Sequence, residues 1–366
     1  QAGNDFYLEQ KRNMSRLKLS KRYFRTGRPI NNSTPEERVF GTWFDDYQRK
    51  HYPTVPIECL CGEQKSYLIS TTDRDGWEYP LVLCISCGLI RAKRYWDQES
   101  TTDYYKNWYR KLHGTNCDDD PIPEHSSQVE YISERLYDFV KTFTKRFNKP
   151  YTVVDIGGSY GGALKLFRKE AKCYLFDYNK RFLQFARNQE IEAVEGGISK
   201  LGEVKIKPDL VILSQVLEHF TDVHKELVTL KSSLKIGSLV YVSLPGIDSL
   251  KLGRRLCDFL RDLVRAHVFY FSSETLNNLM GRHGFKCLRS DSGINALYEY
   301  TGIKEELINH HDIVVSHIRS AEFKRKWGYP RLRIFIGRIL PNSFRDWIKN
   351  RFHLNIHDHM AKSTLK

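Results

Sequence analysis

The feature that most constrains this chain is the run Val153-Val154-Asp155-Ile156-Gly157-Gly158-Ser159-Tyr160-Gly161-Gly162, followed downstream by Tyr174-Leu175-Phe176-Asp177. A short apolar run that ends in a glycine-rich turn and leads into a helical pattern is a strand–loop–helix nucleotide site. Glycines there let the backbone approach a ligand closely and adopt positive φ without a Cβ clash. Asp177 lies 22 residues after Asp155, at the end of a second apolar run, where a carboxylate can hold both ribose hydroxyls. The pyrophosphate fingerprint G-x-G-x-x-G is broken, because Ser159 stands at its middle glycine position. Asp155, an acid inside the first strand, would also repel a pyrophosphate but suits an ammonium or sulfonium group. The expected ligand is therefore S-adenosylmethionine and not NAD. Its candidate contacts are Asp155, Gly157, Gly158, Ser159, Tyr160, Gly161 and Asp177, with Tyr178 and Gln215 at the ends of later strands. The alternative is a turn of an ordinary doubly wound sheet that binds nothing.

Later segments strengthen the reading. Pro208 to His219 reads as a buried parallel strand turning into a helix, and Leu239 to Pro245 as the next strand. Phe271-Ser272-Ser273-Glu274 looks like a helix start, with Ser273 as the cap and Glu274 in the first turn, and that helix ends near Gly281-Arg282-His283-Gly284. Together with D-I-G-G-S-Y-G and the ribose acid, these pieces make residues 150–300 resemble a class I S-adenosylmethionine-dependent methyltransferase domain. The resemblance implies an α/β fold with a seven-stranded, mostly parallel, Rossmann-like sheet. Two departures stand out: Ser159 replaces the commonest second glycine, and Glu195-Gly196-Gly197-Ile198 lacks the usual acid that reaches the adenine amine.

Upstream, Cys59-Leu60-Cys61-Gly62 and Cys84-Ile85-Ser86-Cys87-Gly88 form two knuckles separated by 22 residues. Four thiolates on two glycine-terminated turns match a closed tetrahedral Zn2+ site, which implies a folding role and not Lewis-acid catalysis. Two disulfides or four unrelated buried thiols are the alternatives. The other cysteines, Cys117, Cys173, Cys257 and Cys287, are scattered singly, and no secretory signal pattern is present, so a reducing cytoplasmic compartment is expected. The arrangement as a whole resembles the zinc-binding module fused to methyltransferases of bacterial sugar and surface-polysaccharide pathways. The expected organisation is a basic N-terminal arm (1–54), a small four-cysteine zinc module (55–96), a helical connector (97–149), the methyltransferase domain (150–300) and a helical, basic amphipathic C-terminal extension (301–366).

A net charge of +14 first suggests nucleic acid. Its distribution argues otherwise: residues 1–50 carry 11 Lys+Arg against 6 Asp+Glu, and residues 301–366 carry 13 against 6, so the part between is nearly neutral. The N-terminal charges, Lys11-Arg12, Lys18, Lys21-Arg22 and Arg25, read as a solvated arm. In the C-terminal flank, Phe323 to Tyr329 and Arg331 to Leu340 mix cations with large apolar groups, and Phe344, Trp347, Ile348 and Phe352 follow at helical spacing. Such segments either pack on the core or on a second copy of the chain, or lie on the anionic inner face of a membrane. No run of 18 apolar residues is present to span one.

Methyl transfer from a sulfonium is an in-line displacement, so the protein must mainly align the acceptor, and an alcohol acceptor also needs a base. Residues just after the strand at Leu210–Leu213 face the ligand, which makes His219, with Glu218 beside it, the first candidate base. His267, in Arg265-Ala266-His267-Val268-Phe269-Tyr270-Phe271, is the second. The resemblance implies a sugar hydroxyl acceptor in a surface glycan or its precursor, with C-methylation of a nucleotide-linked deoxysugar as the alternative. A nucleic-acid acceptor is disfavoured, because Ser214-Gln215-Val216-Leu217 lacks the prolines and aromatic that grip a flipped base. A non-catalytic scaffold is the remaining reading, and the intact Asp155, Gly157, Gly161 and Asp177 count against it.

Overall fold

The computed structural model describes residues 17, 19–30, 34–112 and 127–328. The N-terminal charges at Lys11-Arg12 and Lys18 and the amphipathic pattern from Tyr329 to Phe352 lie outside the described residues. The first elements among the described residues are a short turn at Lys21–Phe24 and helix α1 (Pro35–His51). Thr34 starts α1 by local chemistry: its hydroxyl accepts from Glu37 N–H while the Glu37 carboxylate accepts from Thr34 N–H, and Pro35 occupies the first turn. Part of the basic arm is thus built into the body. Leu17, Leu19 and Tyr23 are buried, and Tyr23 donates its hydroxyl to Glu322.

Five strands follow: β1 (Thr54–Pro56), β2 (Ser66–Thr72), β3 (Glu78–Cys84), β4 (Ile90–Ala92) and β5 (Arg94–Trp96). Helices α2 (Gln98–Asp103), α3 (Tyr109–Leu112) and α4 (Ser127–Thr144) connect them to the larger sheet. That sheet uses β6 (Tyr151–Ile156), β7 (Ala171–Asp177), β8 (Glu192–Glu195), β9 (Leu210–Ser214) and β10 (Leu239–Ser243), all parallel, with helices α5 (Lys180–Asn188), α6 (Ser199–Glu203) and α7 (Val223–Ser233) following β7, β8 and β9. A hairpin of β12 (Phe285–Ser290) and β13 (Asn295–Tyr300) completes it, β13 running antiparallel to β10. The order is β12-β13-β10-β9-β6-β7-β8. The seven-stranded, mostly parallel sheet is as the sequence implied.

Alternating residues of β6 explain how the sheet is covered. Tyr151 and Val153 face α4, through Leu136, Phe139 and Val140, whereas Val154 and Ile156 face the opposite layer. The chain leaves β6 toward β7 and β8 on one side and returns through β9 and β10 on the other. The crevice at the carboxyl ends of β6 and β9 is therefore the switch point where such sheets bind ligands.

One strand crosses between the two parts. The two-residue strand β11 (Phe269–Tyr270), which follows β10 in the chain, pairs antiparallel with β4, so the smaller sheet runs β11-β4-β3-β2. Next to it, helix α8 (Ser273–Arg282) begins one residue earlier than expected. Ser272, not Ser273, is the cap: it accepts from Thr275 N–H while Thr275 Oγ1 accepts from Ser272 N–H. The reason is the threonine, which completes a reciprocal pair that Ser273 as cap would lack, and the Ser273 hydroxyl donates instead to Asp248. Glu274 does lie in the first turn. Helix α9 (His311–Trp327) then packs Val314, Val315, Ile318 and Ala321 onto the core and leaves Phe323 and Trp327 exposed. Among the described residues no helix is long and apolar enough to cross a membrane.

Arg265 ties the layers together. It is buried, donates to Asp45 of α1 and to the Glu78 carbonyl, and lies over the Trp77 ring. Replacing it by alanine leaves the Asp45 carboxylate without this partner in a half-dry setting, so Arg265→Ala should lower unfolding stability by about 3 kcal/mol. Urea denaturation measures this, and a loss below about 1 kcal/mol would contradict that bridging role.

Candidate active site

Strand β6 delivers the glycine loop. Gly157 and Gly161 have φ of 68° and 82°, and Ser159, where the fingerprint wants glycine, takes the same left-handed region at 53°. A serine tolerates this at modest cost, which is why the fingerprint position admits it. At Gly158 the limit is space: a methyl group there would overlap the Asp155 carboxylate. Asp155 thus lies directly beneath the loop, 1% exposed, with neither oxygen hydrogen-bonded. Burial, with a further push from the Asp177 charge, raises its pKa to about 8. Its place is under the loop backbone and not on an open ligand surface.

Asp177 ends β7 and turns toward the same loop. Its Oδ2 accepts from Ser159 N–H at 2.9 Å and its Oδ1 from Asn179 N–H at 2.8 Å. These two bonds fix the Asp177 carboxylate against the glycine loop. Tyr178 beside it is 74% exposed. Tyr160 is half-buried with its ring edge-on to Phe182 and Phe185, and burial raises its hydroxyl pKa. The loop, the ribose-type acid and the exposed ring fit S-adenosylmethionine, whose methyl is made electrophilic by its sulfonium charge.

Across the crevice, β9 ends in Gln215 at φ 57°, its N–H bonded to Ser243 O. The next residues bring together the three sequence candidates for proton transfer. Ligand atoms of Glu218, His219 and His267 all lie within 4.8 Å of one another. The ring centroids of His219 and His267 are 4.9 Å apart, edge to face. His219 Nδ1 is 2.8 Å from Ala266 O, a group that can only accept, so Nδ1 carries the proton and Nε2 keeps its lone pair. Tyr105 Oη lies 2.8 Å from the same nitrogen and donates to Ala266 O. Burial lowers the His219 pKa to about 4, so the ring is neutral. Glu218 is 1% exposed with both oxygens unpartnered, and burial raises its pKa to about 8.

A cavity of about 190 Å³ adjoins this cluster on the His267 side, lined among others by Gln215, Pro245, Ala266 and His267. Its far wall holds residues that sequence reasoning gave no role: Arg74, Arg255 and Asp262. Tyr105 was missed as well. No spacing signals these residues, because Arg74 and Tyr105 reach the site from the N-terminal part only through the β4–β11 pairing. Gln215, expected at the cofactor, stands on this cavity wall.

The four knuckle cysteines also converge. Sγ separations are 3.5 Å for Cys59–Cys87, 3.4 Å for Cys59–Cys61 and 3.6 Å for Cys61–Cys84. These are far too long for disulfides and near the ~3.8 Å edge of a tetrahedron with ~2.3 Å metal–sulfur bonds. Backbone N–H groups of Glu63, Ser86 and Leu89 donate to Cys61, Cys84 and Cys87, which favours thiolates. The donor set and its spacing fit a structural divalent ion.

Residues 129–290 match a family model described as a methyltransferase domain. No curated protein matches the chain. Among solved structures, the chain is similar to the plantazolicin methyltransferase BamL in complex with a triazolic desmethylPZN analog and SAH, at 18% identity over 67% of this chain and 90% of that one, with a TM-score of 0.40. It is also similar to the magnesium protoporphyrin IX methyltransferase ChlM of Synechocystis PCC 6803, at 16% identity over 56% and 98%, TM-score 0.39. A third is a SAM-dependent methyltransferase of Thermotoga maritima, at 14% identity over 48% and 93%, TM-score 0.34. The part of the chain matched as a methyltransferase domain, residues 129–290, contains the parallel strands of the seven-stranded sheet and the glycine loop. To it the chain adds an N-terminal four-cysteine unit that shares a sheet with β11.

The buried acids predict a pH signature. Glu218 binds its proton more tightly folded than unfolded, so its stabilisation is complete below the ordinary 4.5 and is lost as pH rises toward about 8. Melting temperature should therefore carry a falling component between about pH 5 and 8, and Glu218→Gln should flatten it. An identical pH slope in parent and variant would mean that Glu218 does not titrate as described.

Proposed function

We propose that this chain is an S-adenosylmethionine-dependent O-methyltransferase acting on a sugar hydroxyl, in a surface glycan or its precursor, with a structural zinc ion in the four-cysteine unit. The observation that carries the reaction is His219: a neutral imidazole, tautomer held by Ala266 O, just past the carboxyl end of β9 and edge-on to His267, which lines the cavity. Asp177 and the loop backbone orient the nucleoside end. Gln215 and His267 line the space for the acceptor. As the acceptor oxygen forms its bond to the methyl carbon and the sulfur–carbon bond breaks, the hydroxyl proton passes to His219 Nε2. Ala266 O, which accepts from Nδ1–H, steadies the imidazolium that results. The sugar assignment rests on the resemblance of the whole arrangement, and on a cavity wall made of hydroxyl-seeking groups.

Asp177→Ala should abolish S-adenosylhomocysteine binding in calorimetry while the circular-dichroism spectrum is unchanged; unaltered affinity would refute the cofactor site. His219→Ala should cut transfer of labelled methyl into the glycan fraction of a lysate by roughly 100-fold or more with cofactor affinity kept. Equal loss of both would make His219 structural. Purified protein should contain one zinc per chain by mass spectrometry, lost with Cys59→Ser or Cys87→Ser. Metal-free, fully folded parent protein would rule the zinc out.

A further inference from the structure

The far wall of the acceptor cavity is cationic in a way the reaction does not explain. Arg74 and Arg255 both line it. The acid beside them, Asp262, is shared: it is engaged by Nη1 and Nη2 of Arg254 and also pairs with Arg255 Nε at 3.4 Å. Arg74 Nε is buried with no hydrogen-bond partner, and its nearest acid oxygen, on Asp75, is 3.6 Å away, beyond hydrogen-bond reach. Burial holds the Arg255 guanidinium below its ordinary pKa, the Asp262 charge opposes this, and the Arg74 charge presses in the same direction as burial.

The backbone is bent to keep them there. Arg255, Leu256 and Cys257 are three consecutive non-glycine residues in the left-handed region, with φ of 51°, 56° and 58°. Such strain persists only where the surroundings hold it, and it concentrates at ligand clamps. Arg74 sits in the turn Asp73–Gly76, which Leu263 O anchors through Arg74 N–H. Gly76 has φ 83° and no room for a Cβ against the backbone of Arg28 and Pro29, so the turn has one conformation. Two guanidiniums on one cavity, sharing a single lining acid and with Arg74 Nε unpartnered, suit an anion with several oxygens.

We propose that Arg74 and Arg255 form an anion subsite of the acceptor cavity, binding a phosphate or carboxylate group of the acceptor so that its hydroxyl reaches His219. The subsite rests on the methyltransferase reading only for the name of its occupant. It turns the substrate class from a neutral sugar into an anionic one, either a phosphorylated sugar or a sugar acid. It also assigns specificity jointly to the cysteine-bearing part, through Arg74, and to the catalytic domain, through Arg255.

Calorimetry on the whole chain at low salt tests this with two probes, inorganic pyrophosphate and D-glucuronate, on the parent, Arg74→Gln, Arg255→Gln and Arg255→Lys. Binding of either probe is expected, weakened at least tenfold in both glutamine variants and partly restored in Arg255→Lys, with S-adenosylhomocysteine affinity unchanged throughout. Tighter pyrophosphate identifies the phosphate source and tighter glucuronate the carboxylate source, and both support the subsite. Failure of the parent to bind either probe, or equal binding in parent and glutamine variants, overturns it. Loss of S-adenosylhomocysteine binding in the parent would instead sink the methyltransferase reading, so the two failures are separable.

Discussion

The acceptor site depends on one short pairing, Phe269–Tyr270 of β11 against Ile90–Arg91 of β4. Two residues of ladder are little by themselves, yet around them the Ala92 N–H donates to Val268 O, the Val268 N–H donates to Glu218 O, and the Tyr79 hydroxyl donates to His267 O. Through these bonds the sheet that bears the cysteines, the end of β9 and the segment carrying His267 form one continuous backbone network. Arg265 and Arg282 extend it, bonding to Glu78 O and Leu60 O. The four-cysteine part of the chain thus contributes Arg74 to the cavity that His267 also lines.

The electrostatics of the crevice follow from dryness. Asp155 and Glu218 each sit 1% exposed without a hydrogen bond, and both are pushed toward neutrality. Two uncharged carboxyl groups near the reacting centre leave Asp177 as the anionic group at the cofactor side and His219 as a neutral acceptor. A positively charged donor ligand and a proton-releasing acceptor would meet complementary partners in such a site. The cavity beside His267 carries Arg74 and Arg255 with Asp262 as its lining acid.

Much of this was legible in the chain. The sheet, the glycine loop, the ribose acid and the cysteine knuckles are local patterns, because strand periodicity, turn glycines and ligand spacing are written in adjacent residues. The cap of α8 was misplaced by one position, since Ser272 and Ser273 both qualify locally and only the partner at Thr275 chooses between them. The arm at Lys21–Phe24 read as a solvated charge run, but Tyr23 is buried because Glu322, 299 residues away, supplies its acceptor.

The sequence by itself determined a parallel nucleotide-binding sheet and a set of four thiols, because these rest on short-range periodicity and turn chemistry. Tertiary structure alone decided that Glu218, His219 and His267 share one cluster, that Tyr105 orients the histidine, and that Arg74 meets Arg255. Those groups are far apart in the chain, and what joins them is a backbone ladder and a buried core, whose partners no local pattern names.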